Sequence, residues 1–118
     1  MAAPNLKNIT SVFAKTTTLN VTTSATAILE NQSSSNKMLK VSSITVSNIG
    51  LNSATCTLDF LRSSNSTRIA KDLEVPVGGT VVLVSRPSTI YLEEGDSLRL
   101  VASANSTLEA ICSYDEVT

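Results

Sequence analysis

Short runs of β-branched and aliphatic residues, each broken by a cluster of Ser, Asn, Gly or Pro, recur along the whole chain. This is the pattern of strands joined by turns. It predicts strands over residues 11–19, 24–30, 38–48, 54–62, 67–75, 80–85, 89–92, 97–103 and 108–114. No stretch carries the 3.6-residue apolar period of a helix.

Period-two alternation is clearest in the second half. Cys56, Leu58 and Phe60 fall on one face of their run, and Thr55, Thr57 and Asp59 on the other. The same reading turns Ile69, Leu73 and Val75 inward around Lys71. It then places Leu98, Leu100 and Ala102 inward against Ser97, Arg99 and Ser103, and Leu108, Ala110, Cys112 and Tyr114 continue the inward set. Between Val41 and Ile44 the phase changes across Ser42 and Ser43, which predicts a β-bulge. Turns are expected at residues 48–52, where Gly50 and two Asn tolerate positive φ, at the polar loop 63–66, at Pro76-Val77-Gly78-Gly79, and at Glu93-Glu94-Gly95-Asp96. Turn signals this closely spaced favour an all-β fold, an antiparallel β-sandwich of immunoglobulin-like or jelly-roll type with about seven to nine strands. Residues 1–10, with Pro4 and two Asn, have weak strand character and are read as an N-terminal arm; residues 11–118 are read as a single domain.

Composition narrows the function. The chain has 118 residues, 42% hydrophobic and only 16% charged, so it has enough apolar material for a core and too few charges for a disordered chain. Its polar part is mostly neutral, with 18 Ser, 15 Thr and nine Asn. Nine basic residues are scattered and the net charge is -1, which supplies no basic stripe for nucleic acid. Four aromatic residues and no Trp leave no stacking platform for single strands or sugars. No apolar run approaches the roughly 20 residues that span a bilayer, and residues 1–10 do not read as a secretion signal. The expectation is a soluble protein made in the cytoplasm.

There is no His, which removes the commonest general base and the commonest metal ligand. The serines lie in no nucleophile-elbow sequence, and no phosphate loop, dinucleotide fingerprint or zinc spacing occurs. No enzyme is expected, and no catalytic, cofactor-binding or metal-binding residue is assigned. Cys56 and Cys112 both fall on inward positions, so a disulfide between sheets is geometrically open; a reducing compartment favours two buried free thiols. Six of the ten acids lie within the last 26 residues, among them Glu93, Glu94 and Asp96. Carboxylates on a turn suit Ca²⁺, yet the spacing follows no calcium loop, and a solvated hairpin tip is the favoured reading. Sequons begin at Asn8, Asn20, Asn31, Asn65 and Asn105, a number that so Ser/Thr-rich a chain produces by composition.

One resemblance adds to this. The succession Val41-Ser42-Ser43-Ile44-Thr45-Val46-Ser47-Asn48, then Leu58-Asp59-Phe60-Leu61-Arg62, Val75-Pro76-Val77-Gly78-Gly79-Thr80, Ile90 through Leu100 and Ser103-Ala104-Asn105 resembles small virion structural proteins of tailed bacteriophages, especially marine and cyanobacterial ones. The likeness runs over roughly residues 35–116 and is one of strands and turns. It implies a non-enzymatic virion component, foremost a capsid decoration or cement protein that binds and stabilises the head shell. Its partners would then be other virion proteins, chiefly the major capsid protein, and it would be a homo-oligomer needing no cofactor, nucleic acid or membrane. A neck, tail or fibre-associated protein is the alternative. A host-surface or glycan-binding adhesion module is the alternative of another class.

Overall fold

Nine strands form among residues 8–118, the part of the chain described by the computed structural model. They are β1 (Val12–Val21), β2 (Thr26–Glu30), β3 (Met38–Asn48), β4 (Ala54–Arg62), β5 (Asn65–Val75), β6 (Thr80–Val84), β7 (Ile90–Leu92), β8 (Ser97–Ala102) and β9 (Leu108–Val117). All pairings are antiparallel. One sheet runs β1-β9-β3-β6, with β7 also on β3, and the other runs β2-β8-β4-β5.

One buried cluster draws on both sheets: Val21, Val41, Ile44, Val46, Leu92, Leu108, Ala110 and Cys112 from the first, and Cys56, Leu58, Val75, Leu98 and Leu100 from the second. Alternation explains this, because every second side chain of a strand shares a face. Each fully buried Leu or Ile contributes about 1.5–3 kcal/mol. The expected inward positions of β4, β8 and β9 hold for Leu58, Leu98, Leu100, Ala102, Leu108, Ala110 and Cys112. Phe60 and Tyr114 are half-buried and pack against the cluster from its margin. The bulge expected at Ser42 and Ser43 is present: Val41 faces Tyr114 and Ser43 faces Ser113, so Ser42 is the extra residue.

β5 departs from the sequence reading. Ile69 and Leu73 are exposed, not inward, and Ala70 takes the inward place opposite Leu58. Between Cys56 and Asp59 the partner strand runs from Leu73 to Arg68, which inserts two extra residues into β5, one of them by way of Asp72 at φ 48°. Each insertion reverses the alternation that a fixed period assumes. The 63–66 loop also contracts. Arg62 pairs with Asn65, and only Ser63 and Ser64 remain between them, both at positive φ, as a two-residue primed hairpin turn requires. Gly50 does not adopt positive φ, whereas Gly95 does, at 89°. β9 extends past Tyr114 to Val117 and keeps register with β1 throughout. Of the N-terminal arm, residues 1–7 lie outside the described residues. Residues 8–10 are exposed, and the Thr10 and Ser11 amides donate to the Thr118 carbonyl.

Candidate functional site

Strand ends gather at two ends of the molecule, and the two ends differ in chemistry. At the first, a single buried amide organises the chain. The Asn48 Nδ2 donates to the Asn52 and Val75 carbonyls at 2.9 and 3.0 Å, and its Oδ1 accepts from the Gly50 amide at 2.8 Å. Its own backbone amide donates to the Gly79 carbonyl, and the next, that of Ile49, to the Thr107 carbonyl. The β3–β4, β5–β6 and β8–β9 connections are thereby fastened together. A buried Asn with its donors and acceptor all used is worth its desolvation cost only where such a network is complete.

Gly79 belongs to the same device. Its amide donates to the Pro76 carbonyl, and a Cβ there would lie 2.8 Å from the Pro76 ring. On this fixed frame three apolar side chains stand in solvent: Leu51 at 92% exposure, with Ile49 and Val77 more than half exposed. Asn105 Oδ1 accepts the Thr23 amide beside them.

The opposite end is charged. Asp96, 1% exposed, accepts from Arg62 Nε at 2.8 Å and Nη2 at 2.6 Å, and from the Glu93 amide at 2.9 Å. Arg62 Nη2 also reaches Glu93 at 2.7 Å, and its guanidinium lies 5.1 Å from the Phe60 ring centre. The hydrogen bond to Asp96, chiefly, raises the guanidinium pKa further above its ordinary value. Glu94 is buried and accepts the Asn36 amide at 2.7 Å. The expected solvated acidic tip is therefore corrected: two of its three acids are buried structural acceptors, because the hairpin folds back under Arg62 and the β2–β3 loop. Among the described residues no group of three or more acid or thiol side chains is arranged to hold a metal ion.

Asn31 repeats the device of Asn48 here. Its Nδ2 donates to the Lys37 and Leu92 carbonyls, and its Oδ1 accepts from Ser35. A sequon Asn whose amide nitrogen is buried and doubly bonded offers no glycan acceptor in the folded chain. Sequence reasoning missed both amides, since a neutral Asn in a turn reads the same whether it is buried or wet.

Cys56 and Cys112 are separate, buried thiols. Desolvation raises both pKa values, that of Cys112 to about 12. Neither is a nucleophile near neutral pH.

The outer faces of the sheets also contrast. On the β1-β9-β3-β6 sheet, Thr18, Ile111, Thr45 and Val82 stand in one cross-strand row, with Thr16, Ser113 and Ser43 in a parallel row. On the other sheet the central row is Ala27, Arg99, Asp59 and Arg68. Asp59 accepts two bonds from Arg99, at 3.1 and 2.9 Å. The open depressions along these faces are lined by such residues: one of about 240 Å³ by Thr18, Asn20, Ser47 and Ile111, and one of about 260 Å³ by Asp59, Arg68, Lys71 and Arg99.

No protein-family model matches the chain, and no curated protein matches it.

Proposed function

We propose that this chain is a non-enzymatic structural protein of a tailed bacteriophage virion, a decoration or cement protein that docks on the head shell. The observation that carries the reading is the rigid apolar end. Leu51, Ile49 and Val77 are held in water by connections locked through Asn48, so their burial waits on another surface and costs little conformational entropy when it comes. A shell that repeats its binding site multiplies such a small contact by symmetry. The resemblance to small phage virion proteins supplies the identity of that surface.

The fold proposed with it is a β-sandwich of the jelly-roll kind, in preference to the immunoglobulin-like alternative. Strand order supports this choice. If β6 and β7 count as one strand beside β3, the pairs nest from the outside inward: β1 with β9, β2 with β8, β3 with β6 and β7, β4 with β5. Nested pairing alternating between two sheets is how a long hairpin rolls up, and double-sheet jelly rolls recur among viral capsid domains.

Imaging intact particles by cryo-electron microscopy, with a Leu51→Asp variant in parallel, tests the proposal. Density over the shell in icosahedral multiples, with residues 49–51 against the shell and at least tenfold weaker retention of Leu51→Asp, is the expected result. Ring-like density at the neck or tail would replace decoration with the neck or tail reading. Absence from particles would overturn both.

A further inference from the structure

Each of the two sheets has two edges, and three of these four edges carry devices that block a further strand. β2 is five residues long and its register shifts between Ala27 and Leu29. The β6 and β7 edge is two short strands interrupted at residues 85–89. β5 has two register shifts and bears Arg68, Lys71, Asp72 and Glu74. Short length, bulges and charge are the features that keep a strand edge from pairing.

β1 is neither short nor bulged, and it bears one charge only. Ten residues pair with β9 with no shift, from Val12 opposite Val117 to Val21 opposite Leu108. The strand contains no Pro and a single charge, Lys15, which is matched by Glu116 at 2.9 Å. Among the described residues no strand pairs with its far side, and Val12 and Phe13, half exposed, stand at its start.

We infer that β1 is a self-association edge, pairing antiparallel with β1 of a second copy across a two-fold axis to join the two sheets into one. Symmetry and charge choose the register. Continuing the sheet across the axis keeps each face with its like, so paired residues must both be odd or both be even in number. Pairing Lys15 with its own copy sets like charges face to face, which is unfavourable. Centring on Thr17 avoids this. Thr17 then faces Thr17, Thr16 faces Thr18, Lys15 faces Leu19, and Phe13 faces Val21. Threonine pairs of this kind are favourable across strands. The two lysines are displaced by four residues, about 13 Å along the strand, which exceeds the Debye length of about 8 Å at physiological salt. Phe13 of each copy leaves solvent for the strip beside Leu19 and Val21 of the other. The inference does not depend on the virion reading, because it concerns only the chain and its own copy.

Sedimentation equilibrium of the full chain, with two paired-charge variants, tests it. Thr16→Glu with Thr18→Glu sets acid against acid twice across the axis, whereas Thr16→Lys with Thr18→Glu sets base against acid at the same places. The substituted positions, Thr16 and Thr18, lie on the exposed face of β1, so both variants are expected to keep the monomer fold, which circular dichroism checks. The wild type is expected to be a dimer, the all-acid variant to dissociate at least tenfold more readily, and the mixed variant to stay within threefold of wild type. Thr17 also faces Cys112 of its own chain, so in a Cys112→Ala background Thr17→Cys is expected to oxidise to a covalent pair in the dimer, since facing residues of antiparallel strands have Cα atoms about 4.5–5.5 Å apart, within disulfide reach. A monomeric wild type at 200 µM (about 2.5 mg/ml for 12.4 kDa) would overturn the inference, including the case in which β1 receives a strand of some other protein. Equal dimerisation of the two charge variants would also overturn it, by moving the interface elsewhere.

Discussion

The Arg62–Asp96 contact makes an asymmetric prediction, because one partner is in water and the other is not. Asp96 is 1% exposed, while about half of the Arg62 side chain is exposed. Removing the acid with Asp96→Ala frees a guanidinium that water can reclaim. The loss is then a charge-assisted bond to the Glu93 amide, at about 1.5–3 kcal/mol, plus a half-exposed ion pair worth at most about 1 kcal/mol. About 2–3 kcal/mol is expected. Removing the base with Arg62→Met keeps an aliphatic cover of similar length over the carboxylate but takes away both of its guanidinium donors. Stranding a buried charge costs about 3–5 kcal/mol. The double variant should cost about as much as Asp96→Ala alone, since no charge is then left stranded. Urea melts of the four proteins at neutral pH, with m held constant, measure this cycle. If Arg62→Met costs less than Asp96→Ala, or if the two costs simply add, the burial asymmetry does not govern this end of the molecule.

Three further outcomes follow from the same geometry. Leu58→Ala, at a fully buried position, should cost about 3–4 kcal/mol, while Phe60→Ala at the half-buried margin should cost about 2 kcal/mol, in urea melts; equal losses would place Phe60 in the core. Cys56 and Cys112 should resist a thiol reagent at pH 8 in the native state, and both should react at once in denaturant; rapid labelling of either native thiol would contradict its burial. The Glu116 carboxyl is held below its usual range, first by the bond from Lys37 and then by that from Lys15. A depressed acid stabilises the fold above its unfolded value, and that stability is lost as pH falls through the folded value. Glu116→Gln should therefore be less stable than wild type at pH 7, with the difference shrinking towards pH 3; a constant difference would remove the ion pairs as its cause.

Much of the fold was legible because a half-buried strand writes its face into every second residue. Leu58, Leu98 and Leu100 needed only that rule, and the phase change at Ser42 and Ser43 announced its own bulge. β5 was misread for the converse reason. Its two extra residues are set by the partner strand, and nothing in Arg68-Ile69-Ala70-Lys71-Asp72-Leu73 announces them. At the ends of the molecule, the residues that matter most are polar ones that became buried. Asn31, Asn48, Glu94 and Asp96 carry ordinary turn chemistry in the sequence, and only the connections packed around them turn that chemistry into a lock. The apolar display of Leu51 was equally unreadable, because an isolated leucine between Gly50 and Asn52 does not say which way it points.

The strand order also governs when the chain can fold. β8 and β9 occupy interior positions, β8 between β2 and β4, and β9 between β1 and β3. Neither β1 nor β2 has a neighbour in its sheet until residues 97–117 exist, so a nascent chain that has reached β7 holds little more than the β3–β6–β7 and β4–β5 pairings. Synthesis proceeds at about 5–20 residues per second, which leaves that incomplete state exposed for seconds. Its unpaired edges and bare apolar faces then depend on the Ser- and Thr-rich outer positions for solubility, and folding as a cooperative event belongs to the moment the last two strands slide into the middle of their sheets.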